Sequence, residues 1–148
     1  MRTRLRTRAA VVVAILAGAV LALSVTSGPA VAFFSGGLFL DVQVNSPATL
    51  VARGAAVDVP LEVTCNAPDG AFVFVTVTQR SGSGVAAGST STSVGCTGSG
   101  QQILVRVSPT SGGKTFKQGT AVVSAQAFAC RANVCGSETD SETVTIQR

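Results

Sequence analysis

Ala55-Ala-Val-Asp-Val-Pro-Leu-Glu-Val-Thr-Cys65 is the stretch on which the fold turns. Val57, Val59, Leu61, Val63 and Cys65 fall on one side of a period of two, and Asp58, Pro60, Glu62 and Thr64 on the other. An extended chain sends successive side chains to opposite faces, so this alternation reads as a strand with one face in a core and the other outside it. Pro60 has no N–H to give to a ladder. Its place in a strand therefore requires a bulge, or a gap in the neighbouring strand.

The same period recurs outward from that stretch. Upstream, Leu38, Leu40, Val42 and Val44 alternate with Phe39, Asp41 and Gln43 until Asn45-Ser-Pro47 stops them. Downstream, Asn66-Ala-Pro-Asp-Gly70 has turn chemistry and leads into Ala71–Gln79, with Val73, Val75 and Val77 on one face. Ile103, Val105 and Val107 alternate within Gln101–Val107, as do Ala121, Val123, Ala125, Ala127 and Ala129 within Gly119–Cys130, and Val144 and Ile146 face inward in the last strand. A weak polar strand is expected at Ser89–Cys96. The Gly/Ser-rich segment Arg80–Gly88 and the segment Ser108–Gln118, with Pro109, Gly112 and Gly113, are expected as loops. No stretch carries a 3.6-residue period with caps. Seven short strands separated by turn residues suit one all-β domain, an immunoglobulin-like Greek-key sandwich, with an antiparallel barrel as the alternative.

The chain has 148 residues, with 11 Lys+Arg, 7 Asp+Glu and no His. Arg2, Arg4, Arg6 and Arg8 precede the apolar run Ala9–Leu23, which closes on Ala30-Val31-Ala32. This is the pattern of a secretory signal peptide over residues 1–32. The run is shorter than the roughly 20 residues that span a bilayer; an uncleaved anchor is the alternative. Cleavage after Ala32 leaves one domain at 33–148 and removes four of the 11 basic residues, which brings the remainder level with the 7 acidic ones. The overall pI near 9.3 thus belongs to the leader, and nothing in the mature composition points to nucleic acid or a membrane surface. A secreted, extracellular monomer without a cofactor is expected.

Cys65, Cys96, Cys130 and Cys135 are an even set in an exported chain, which reads as two disulfides with three possible pairings. Zinc is the competing reading, but the spacings are irregular and no His is present. A catalytic thiol lacks a His to activate it.

Ala48-Thr-Leu-Val-Ala-Arg-Gly-Ala-Ala-Val-Asp-Val-Pro-Leu-Glu-Val-Thr-Cys65, the Gly-bounded Cys96 and an Ala-rich strand ending in Cys130 resemble, in layout, secreted immunoglobulin-like domains of high-GC, actinobacterial type. Over about twenty residues, Cys130-Arg-Ala-Asn-Val-Cys135 and the strand after it resemble the carboxyl-terminal hairpin of the neocarzinostatin-type apoproteins, small secreted sandwiches that carry an enediyne chromophore in a cleft. The first cysteine pair of that family encloses a short loop, unlike Cys65 and Cys96. If strands alternate in direction as in such sandwiches, the cysteines gather at one pole. The resemblance then favours Cys130–Cys135 across the last hairpin and Cys65–Cys96 within one sheet; an inter-sheet Cys65–Cys130 bridge is the rival.

Without His there is no serine triad and no imidazole metal site, so no catalytic residues are assigned and the chain is expected not to be an enzyme. Asp58 and Glu62 share a face but lie roughly 13 Å apart along a strand, wider than the roughly 5 to 9.5 Å of glycosidase carboxylates. They read as solvated surface charges. Glu138, Asp140 and Glu142 alternate along the last strand. They read as a solvated acidic edge that discourages strand pairing, met by Lys114 or Lys117, and the sharper alternative is a weak Ca²⁺ site. Opposite its valine face, the Ala71–Gln79 strand carries Phe72 and Phe74, and an antiparallel neighbour would bring Phe128 beside them. Cover by another segment, such as Phe33 and Phe34, is the expected outcome; exposure would mark a binding surface. The sequence thus leads to a secreted, non-enzymatic binding or structural module whose partner is an unidentified protein or small apolar ligand. The alternative is a chromophore-type carrier using Phe72, Phe74 and Phe128.

Overall fold

A computed structural model describes residues 37–148 and the backbone of Ala32–Phe33. Residues 1–31, where a secretory signal peptide is expected, and 34–36, with Phe34, lie outside the described residues. Nine strands follow in order: β1 Ala32–Phe33, β2 Phe39–Val44, β3 Ala48–Val51, β4 Ala56–Cys65, β5 Ala71–Ser81, β6 Gly84–Val94, β7 Gln101–Val107, β8 Gly119–Arg131 and β9 Val134–Gln147.

Two layers result. In the first, β4 pairs antiparallel with β7 on one edge, and on the other with β2 and then β3, while β1 extends β2. In the second, β6, β5, β8 and β9 pair antiparallel in that order. The chain crosses from β4 to β5, back from β6 to β7, and again from β7 to β8, which is the Greek-key path of an immunoglobulin-like sandwich. β3 belongs to both layers: antiparallel to β4, it also runs parallel to β9 through Ala48 opposite Ile146 and Thr49 opposite Gln147. The layers are therefore joined along one side by β3, and on the other side end at β6 and β7.

Alternation places the core as the sequence indicates. Val57, Val59, Leu61, Val63 and Cys65 of β4 are fully buried, as are Val73, Val75 and Val77 of β5. Beside the β5 valines in the same sheet, β8 turns Ala121, Val123, Ala125, Ala127 and Ala129 inward, and the short alanine side chains leave room for the β4 residues of the other layer. Pro60 takes the second of the two positions open to it. Its carbonyl accepts from the Asn45 amide at 2.9 Å. In an extended residue the N–H and C=O point the same way, so the missing N–H faces the Asn45-Ser46-Pro47 corner, where β2 has ended and β3 not yet begun.

Three expectations change. The count rises from seven to nine because β1 pairs with β2 and because the chain resumes as β3 after Pro47. Arg80–Gly88 is not a loop: β5 continues to Ser81, Gly82 at φ 62° makes a two-residue turn, and β6 starts at Gly84. The weak strand ends at Val94, so Cys96 lies in the β6–β7 connection rather than on a strand. Ser108–Gln118 holds no strand, yet its Phe116 is the largest fully buried side chain among the described residues. That segment is held by Gln79, 3% exposed, whose side-chain amide donates to the Lys117 carbonyl and accepts from the Lys117 amide, both at 2.8 Å.

Candidate functional site

The cysteine pole fixes the end of the sandwich where the phenylalanines stand. Cys65 is bonded to Cys96 and Cys130 to Cys135, with no free cysteine among the described residues. The favoured pairing is present, with one correction. Cys65–Cys96 ties the end of β4 to the β6–β7 connection, so its second cysteine stands on no strand of either sheet. Cys130–Cys135 closes the β8–β9 hairpin across a directly opposed pair. Arg131 donates to the Asn66 carbonyl at 3.1 Å, which places the hairpin beside the β4–β5 turn at the same pole.

Phe72 and Phe128 are directly opposite on β5 and β8, and Phe74 sits two residues along, opposite Gln126. The register brings the three phenylalanines together as alternation indicates, on the outer face of the β6-β5-β8-β9 sheet. They are not covered: Phe72 is 55%, Phe74 52% and Phe128 42% exposed. The backbone of Phe33 pairs with Phe39, on the other layer. Rows of this face read across the strands as Ser93-Phe72-Phe128-Ser137, Ser91-Phe74-Gln126-Thr139, Ser89-Thr76-Ser124-Ser141 and Ala87-Thr78-Val122-Thr143. Beyond them the β5–β8 pairing ends, Arg80 stands opposite Val85 and Thr120 opposite Thr145, and Arg80 is the one charge on this face among the described residues. A shallow groove of about 490 Å³, open to solvent, runs between Phe74, Thr76, Ser89 and Ser91. No enclosed cleft joins Phe72, Phe74 and Phe128 to the Cys130–Cys135 hairpin among the described residues, since all three rings stand on an open sheet. The carrier reading is thus without support.

The opposite layer is charged. Asp58 of β4 lies across from Arg106 of β7 and receives two hydrogen bonds from its guanidinium, at 2.7 and 2.8 Å. Asp58 is 7% exposed and so is not the solvated charge expected. The Arg106 hydrogen bonds hold its carboxyl below the ordinary value, outweighing burial, which pushes it up. Glu62 accepts from Gln102 at 2.6 Å.

Glu138, Asp140 and Glu142 share the face of β9 that carries buried Val144 and Ile146, at the rim of the sandwich. The Asp140 carboxylate accepts the Val44 amide of β2 at 2.7 Å, and no lysine pairs with the three among the described residues. They form no group able to hold a metal ion: strand geometry spreads them along β9, and Asp140 is already engaged. A second concavity, about 780 Å³, is lined by Leu50, Arg53, Phe116, Lys117, Gln118 and Arg148. It brings three cations to one hollow, a grouping the sequence does not reveal because they come from three separate segments.

No family model matches the chain, and no curated protein matches it. Among solved structures, the chain is similar to AggA, the major subunit of aggregative adherence fimbriae type I from Escherichia coli, at 12% identity and a TM-score of 0.40, covering 78% of this chain and 97% of that one. The sandwich assignment stands on the strand register itself.

Proposed function

We propose that the chain is a secreted, non-enzymatic binding or structural module that acts through the outer face of the β6-β5-β8-β9 sheet. The observation that carries this is the exposure of Phe72, Phe74 and Phe128 on a face with a single charge, Arg80. Contact surfaces are enriched in aromatic residues and depleted in charge at their centres, because an aromatic patch loses water cheaply and a charge does not. Export is supported by the leader at residues 1–32 and by two disulfides, which persist in oxidising compartments. The partner presents an uncharged surface.

The test compares the wild-type chain with Phe72→Ser/Phe74→Ser as bait in the medium and envelope fractions of its own host. A partner retained by the wild type and lost by the variant supports the reading. Equal retention by both overturns it. Native mass spectrometry of the exported protein checks two further points: an intact mass beginning at Phe33 and four hydrogens light fits the leader and the disulfides, whereas a small molecule released on denaturation would make this a carrier.

A further inference from the structure

Every open sheet edge offers unpaired backbone groups to another strand, and proteins blunt such edges with charge, proline, brevity or cover. Three of the edges here are blunted. β9 turns Glu138, Asp140 and Glu142 inward at the rim of the sandwich, where a further strand would meet their charge. β7 is 7 residues long and carries Arg106, held in its ion pair. The edge at β2 and β3 is taken up by β1 and β9. The fourth, β6, is 11 residues long, Gly-Val-Ala-Ala-Gly-Ser-Thr-Ser-Thr-Ser-Val, with neither charge nor proline.

Part of β6 is covered: the Ala87 carbonyl, turned away from β5, accepts from the Thr110 amide at 2.8 Å and the Thr110 hydroxyl at 3.1 Å. Backbone groups alternate sides along a strand, so those of Ser89, Ser91 and Ser93 point the same way as Ala87's. None of them has a partner among the described residues, and all three serines are exposed.

We propose that this edge is a pairing site for a second copy of the chain. The two β6 strands run antiparallel about a two-fold axis at Ser91, with Ser91 opposite Ser91 of the partner subunit and Ser89 opposite Ser93 of the partner subunit. A two-fold contact must match itself, and here it does: the free positions lie symmetrically about Ser91, Thr90 and Thr92 between them are small, and two uncharged edges meet without repulsion. Cover at Ala87 stops the register from sliding further down the strand. The inference rests on the contact-module reading and deepens it, because the joined sheets would present two phenylalanine clusters on one continuous face. It revises the expected monomer.

Sedimentation equilibrium of the exported, disulfide-bonded chain tests it. The wild type is expected to dimerise reversibly, Phe72→Ser/Phe74→Ser to dimerise equally well, and Ser91→Lys, which sets two lysines against each other, to raise the dissociation constant by roughly tenfold or more. A wild type that stays monomeric at every concentration, or a dimer indifferent to Ser91→Lys, overturns the proposal. So does a monomer that instead takes up a foreign peptide along β6. Should Ser91→Lys fail to fold, amide exchange in the wild type decides: the Ser89, Ser91 and Ser93 amides become protected as concentration rises, and their continued exchange would refute the pairing. Loss of dimerisation with an intact phenylalanine-dependent partner leaves the contact-face reading standing.

Discussion

Single atoms decide several positions. At Gly88 a Cβ would run into the Ser108 carbonyl, because the chain returning from β7 lies against the buried side of β6 there. Gly88→Ala is expected to cost about 1 to 3 kcal/mol in urea unfolding, as overpacking does. Gly84→Ala, where only the flexible Lys114 side chain is near, should cost much less. Ala132 sits at φ 53° in the β8–β9 turn, a conformation that crowds any Cβ. Ala132→Gly should therefore stabilise the protein by about 0.5 to 1 kcal/mol, read as a rise in the denaturation midpoint. Asp58 couples folding stability to pH. Its carboxyl is lowered in the folded chain, chiefly by the Arg106 hydrogen bonds, so the unfolded chain binds that proton more tightly. The pair's contribution is fully present above the unfolded value of about 3.9 and is lost as pH falls through the lowered folded one. Asp58→Asn is expected to cost about 1 kcal/mol at neutral pH, and the gap from wild type should close in urea titrations carried below about pH 4.

At the scale of elements, the two disulfides are unequal. The chain-entropy model gives about 3.5 to 4 kcal/mol for the link between Cys65 and Cys96, 31 positions apart, and about 2 for Cys130 and Cys135, 5 apart. Thermal unfolding of Cys65→Ala/Cys96→Ala and Cys130→Ala/Cys135→Ala should rank them in that order. The strands themselves were legible in the sequence to different degrees, for a physical reason. β4 and β7 contrast large apolar side chains with polar ones, and the bounds read for β7, Gln101–Val107, are those found. β6 offers no such contrast: its inward positions include Ala86, Gly88, Thr90 and Thr92, and it is made a strand by its register with β5 rather than by its own pattern. Phe116 is a lone aromatic in an irregular segment, and its burial depends on Gln79 reaching the Lys117 backbone. The phenylalanine cluster was legible as a set, since a strand apolar on both faces must show one of them. Its exposure was not, because cover depends on where another segment goes.

For the whole molecule, the two outer faces divide the labour. One carries the Asp58–Arg106 pair and Glu62, the other hydroxyls and three rings. Because those rings stand outside the core, Phe72→Ser/Phe74→Ser should change unfolding free energy by no more than about 1 kcal/mol, while the fluorescence of a bound apolar dye falls. A larger loss of stability would mean the rings serve packing. The parallel pairing of β3 with β9 has a mechanical meaning as well. The segment entering β3 and the segment leaving β9 depart from opposite ends of that pair, at Ala48 and Gln147. Tension applied between Ala48 and Gln147 therefore pulls the two strands past each other, loading their hydrogen bonds together, instead of peeling them apart one at a time.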